Sequence, residues 1–164
     1  MKKSLYLFLA LLLPGLIFVF LKFAGKNEFT VPVFHENGVE APPASCGMTY
    51  SSPYRVPGSV LTFLEMSREA NVLIFPVEGL NFGKLKQGIN DELGTNKVGI
   101  IDAKALATDT ARLDNWKKCI FLVSAPLQSV LVDSVGKIRG YYDLRSLKEV
   151  DRLRVELKIL LKKY

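Results

Sequence analysis

The chain has 164 residues, 49% of them hydrophobic and 23% charged, with a formal net charge of +6. That length suits one ordinary domain and leaves little for a second. The placement of the basic excess argues against a nucleic-acid partner: Lys2, Lys3 and Lys22 supply three of the charges, no acidic residue precedes Glu28, and basic and acidic residues alternate thereafter, so no basic stripe forms.

The first feature in chain order is SLYLFLALLLPGLIFVFL, Ser4 to Leu21, a run without a charge. It is close to the ~20 residues a helix needs to cross a bilayer core. A cleaved signal peptide has an apolar stretch of about 7–15 residues ending in small residues. Here Lys22 and Phe23 take those places, and no cysteine near the end marks a lipoprotein. The run predicts one uncleaved transmembrane helix, which tolerates Pro14 and Gly15. Lys2 and Lys3 then stay in the cytoplasm, and the rest is extracytoplasmic, on a single-pass tether to the inner (plasma) membrane. The expected plan is a cytoplasmic tip and signal anchor over 1–24, an extracytoplasmic linker and extended segment over 25–58, and a folded domain over 59–164.

Within 25–58, EFTVPVFHENG reads as a short extended piece, and VEAPPASCGMTYSSPYRVPG is too rich in Pro, Ser and Gly for helix or central strand. SVLTFLEMSREA is either a short helix or a turn and strand. NVLIFPV is a continuous apolar run, as in a strand buried on both faces. NFGKLKQGINDELG places Phe82, Leu85, Ile89 and Leu93 at helical spacing and closes at Gly94. NKVGIID predicts a second strand, AKALATDTARLDNWKK a partly helical stretch and CIFLVSA a third strand. SVLVD and KIRGYYD flank the hairpin signal SVG. The chain ends in a helix with a capping box from Ser146 and Glu149 and a buried stripe of Val150, Leu153, Leu157, Leu160 and Tyr164. Strands separated by helices imply right-handed parallel crossovers, and the hairpin adds antiparallel pairing. The fold class is α/β: a mixed sheet flanked by helices, in an order that thioredoxin-like folds and other small α/β sandwiches share.

VLVDSVGKIRGYYD and EVDRLRVELKILLKKY, within about residues 116–164, resemble the end of the Sco/SenC family. Those are membrane-anchored, thioredoxin-like proteins linked to copper delivery and assembly of cytochrome oxidase. The family's chemistry uses a Cys-x-x-x-Cys after the first central strand and a histidine before the hairpin, a soft ligand set that suits copper. Matching strand positions puts the cysteines at Asn81 and Leu85 and the histidine at Ala125, none of which is such a ligand. The resemblance implies a degenerate site with no catalytic residue, no cofactor and no metal. It implies a binding or assembly partner of an envelope or respiratory complex, its partner an envelope protein related to cytochrome oxidase.

Other groups admit readings of their own. Cys46 and Cys119 make one disulfide in an oxidising compartment, where closing ~70 residues adds roughly 4 kcal/mol, or else two buried small hydrophobes that never meet. Together with His35, the only histidine, they offer an alternative: a relocated copper or thiol site. His35 beside Glu36 is half of an acid–base pair or a lightly packed residue. Asp102, Asp109, Asp114 and Asp133 follow no metal-ligand spacing and suit strand ends and helix caps. Trp116, Tyr141, Tyr142 and Tyr164 read as core or edge packing, with Tyr141 and Tyr142 as a candidate partner surface. The irregular loop APPASCGMTYSSPY is a candidate contact region.

Overall fold

The computed structural model describes residues 2–24, 29–41, 43–94, 96–106 and 109–162. Residues up to Thr30 and residues Val31–Tyr164 are separate compact units. The first is helix α1 (Lys2–Ala24). The transmembrane helix expected there is overturned: among the described residues no helix is long and apolar enough to cross a membrane.

The second unit is α/β, as expected. Strands β1 (Ala70–Ile74), β2 (Val98–Asp102), β3 (Ser129–Asp133) and β4 (Ile138–Tyr142) form one mixed sheet in the order β2-β1-β3-β4. β1 and β2 are parallel, while β3 is antiparallel to β1 and β4. β1 and β3 are buried along their whole length, which is why both are continuous apolar runs. One face packs against α3 (Phe82–Leu93) and α6 (Leu147–Leu160) through Ile89, Leu93, Leu153 and Leu157. Glu92 joins the two helices by ion pairs to Lys158 (2.5 Å) and Arg154 (3.9 Å). The other face packs on Tyr54, Leu64, Trp116, Ile120 and Phe121. The segment read as linker thus supplies Val31, Tyr54 and Val56 to the buried set.

Residues 58–63 form a short helix, α2 (Gly58–Phe63), and AKALATDTARLDNWKK forms α4 (Ala103–Leu106) and α5 (Thr110–Asn115). CIFLVSA is not a strand. A wide helical turn, Trp116–Ile120, runs into it, and Leu122 adopts a left-handed conformation (φ 54°). Its carbonyls find side chains in place of a ladder: Tyr50 donates to Cys119 C=O (2.9 Å) and Tyr54 to Ile120 C=O (2.6 Å). The capping box is absent as well, because Ser146 makes no side-chain cap bond and Glu149 pairs with Arg152 (2.9 Å). Tyr164 lies outside the described residues.

Candidate functional site

The turn after β1 carries no reactive group. The Asn81 side chain accepts from Lys84 N–H (3.0 Å) and so caps α3, satisfying a donor that a helix start otherwise leaves unpaired. Leu85, one turn on, is buried against the sheet. Ala125 is exposed in the loop before β3. Of the three positions the resemblance singled out, two are structural parts of one helix and the third is a methyl group.

Ala125 nevertheless lines a cleft of about 880 Å³. One wall comes from residues 33–41 and Pro43, with His35, Glu36 and Glu40; the other comes from α5 and the turn after it, with Asp114, Lys117 and Leu122. Cys46, in a short helical turn (Ala44–Cys46) just past the first wall, and Cys119, within the second, form a disulfide with Cα atoms 5.5 Å apart. The bridge clasps the two walls together, 73 residues apart in sequence.

His35 sits where this cleft meets β4. It adopts a left-handed conformation (φ 58°) that a non-glycine residue enters at a cost, and its carbonyl accepts from Gly38 N–H (3.1 Å) and Tyr54 N–H (3.0 Å). Its Nε2 lies 3.0 Å from the Tyr141 hydroxyl. Burial lowers the imidazole pKa below its usual 6.5, opposed by the Glu40 carboxylate. Burial likewise raises the Tyr141 phenol, with Tyr54 adding to the effect, and pushes Tyr54 itself up to about 12, aided by Tyr50. Burial thus disfavours the charged form of each group in the cluster.

No protein family, curated protein or solved structure matches the chain.

The relocated-site alternative meets a covalent obstacle. Cys46 and Cys119 are bonded to each other, so neither offers a thiolate, and thiolate is the form that binds metal. Among the described residues no group of three or more His, Cys, Asp or Glu is placed to hold a metal ion. The four aspartates do structural work. Asp102 accepts from Lys104 N–H (2.9 Å), Asp109 caps α5 through Ala111 N–H (2.9 Å) and Asp114 pairs with Lys118 (3.1 Å). Asp133 accepts from Val135 and Lys137 N–H and pairs with Arg139 (2.8 Å). Of the proposed aromatic surface, Tyr142 is 0% exposed and donates to Glu156 (2.5 Å) under the Arg152 guanidinium, so it presents nothing to a partner. Tyr141 is half-buried against Phe34 and His35.

The loop read as a contact region supplies Ala41 and Pro43 to the first wall of the cleft, while the rest of that wall and the second wall lie outside it. The segments that carry them are far apart in sequence, and one disulfide joins them across 73 residues. A pair of cysteines flanking such segments is the one sequence signal that points there.

Proposed function

We propose that the chain is a non-catalytic, extracytoplasmic domain of thioredoxin-like connectivity that works at a membrane and binds another envelope protein, as an assembly or stabilising partner of a respiratory complex. The observation that carries this reading is the Cys46–Cys119 bridge, which joins the two chain segments that flank the 880 Å³ cleft. Both sulfurs are engaged in a crosslink that shapes a concave surface, and the turn where the Sco/SenC-like thiols would stand is a helix cap. Disulfides persist in oxidising compartments, which favours the extracytoplasmic side. Phe8, Leu16, Phe18 and Phe20 of α1 are exposed, and exposed apolar patches mark membrane or partner contact. The respiratory link rests on the resemblance of the C-terminal residues.

The test is a gentle-detergent purification of the tagged full-length protein from its native membranes. Stoichiometric co-purification of oxidase or other respiratory subunits is the expected result. Recovery of the protein alone would remove the binding reading.

A further inference from the structure

β2 is one edge of the sheet. Ala70 is in register with Val98, and Ala70 N–H donates to Lys97 C=O (3.2 Å). In a parallel ladder this fixes the alternation: residues 97, 99 and 101 bond toward β1, while Val98, Ile100 and Asp102 turn N–H and C=O outward. Among the described residues, no turn or loop backbone bond involves Val98 or Ile100, while the carbonyl of Asp102 leads into α4. The opposite edge is covered, because Phe34 N–H donates to Ile138 C=O (2.9 Å) and Arg139 donates to Val31 C=O (3.2 Å). The β2 edge also lacks the devices that block strand addition: VGIID holds no Pro and no Lys, and its ladder has no bulge.

This edge lies in a cleft of about 530 Å³. One wall is a stripe of α3, Phe82, Lys86 and Asn90; the other includes Leu64 and Arg68. The Arg68 side chain covers Gly99, where an added Cβ would lie 3.3 Å from its Cγ. Lys86 and Arg68 thus flank the strand from its two sides. Neither joins an ion pair among the described residues: Lys86 rests 6.0 Å from the Phe82 ring, and Arg68 donates to Asn96 C=O (3.1 Å). Of the two carboxylates nearby, Asp102 is at the strand's end and caps Lys104 N–H, and Glu65 is exposed.

We propose that the outer edge of β2 accepts an extended, apolar segment of a partner protein as a fifth strand, with a carboxylate at the middle of that segment. Main-chain bonds to Val98, Ile100 and Asp102 supply affinity, and Lys86 and Arg68 supply charge selectivity. A second copy of β2 fits less well, because antiparallel pairing about Ile100 would set the two α3 stripes side by side with Lys86 against Lys86.

The test uses the full-length, ¹⁵N-labelled protein in detergent micelles. The probe is an acetylated seven-residue peptide alternating Val and Glu, and the control peptide has Lys in place of Glu. Amide exchange reads out the edge directly, because the outward N–H groups exchange freely until a strand covers them. The Glu peptide is expected to slow exchange at Val98, Ile100 and Asp102 by about tenfold or more, with Gly99 and Ile101 unchanged. The Lys peptide is expected to do nothing, and Arg68→Glu with Lys86→Glu to reverse the preference. Equal protection by both peptides, no protection at those three amides, or concentration-dependent protection without peptide would each overturn the proposal.

Discussion

A Cβ on Gly140 would lie 2.6 Å from Cζ of Tyr142, whose ring folds back over the strand two residues earlier. The ladder shifts register beside it, between Leu131 and Val132, and such a bulge re-aims a side chain: Arg139 reaches Asp133. Gly140→Ala must push the buried Tyr142 ring aside and is expected to lower stability by about 1–3 kcal/mol, read as a lower urea midpoint with an unchanged slope. His35 makes a second prediction. Burial lowers its folded pKa below the 6.5 of the unfolded chain, so the unfolded state binds the proton more readily. Stability should therefore rise with pH up to about 6.5 and level off above it. Because His35 is the only histidine, His35→Gln should flatten that rise between pH 5 and 7, measured by urea midpoints across the range.

Elements were legible in the sequence where one periodicity governed them. β1, β2, the β3–β4 hairpin and the buried stripes of α3 and α6 follow from apolar runs and helical spacing, because each buries its pattern against the same sheet. The run CIFLVSA has the same composition as a strand, yet Cys119, Ile120, Phe121 and Val123 are buried without a ladder. The deciding partners, the Tyr50 and Tyr54 hydroxyls, lie 69 and 66 residues away, beyond any local pattern. The same distance effect hid the cleft, whose two flanking segments are joined by a disulfide across 73 residues of sequence. Removing that clasp with Cys46→Ser and Cys119→Ser together should lower stability by up to about 4 kcal/mol, as expected for closing a loop of this length. Calorimetric melting of the double variant against the wild-type chain measures it.

At the scale of the whole molecule, a four-stranded mixed sheet with a core on each face carries two concave features: the disulfide-clasped cleft and the open β2 edge. The α/β architecture was readable from the order of elements. The transmembrane helix inferred from the same sequence was not sustained, since an apolar run predicts a span by composition alone and no described helix meets the length and apolarity required. The two cysteines are bonded to each other, and the proposed binding role rests on that bond. The most direct measurement is a thiol count on the full-length protein, acid-trapped straight from its native membranes and alkylated without reductant. The account predicts no alkylated cysteine and a single linked peptide pair containing Cys46 and Cys119. Two alkylated cysteines would contradict it and return both sulfurs to the list of reactive groups.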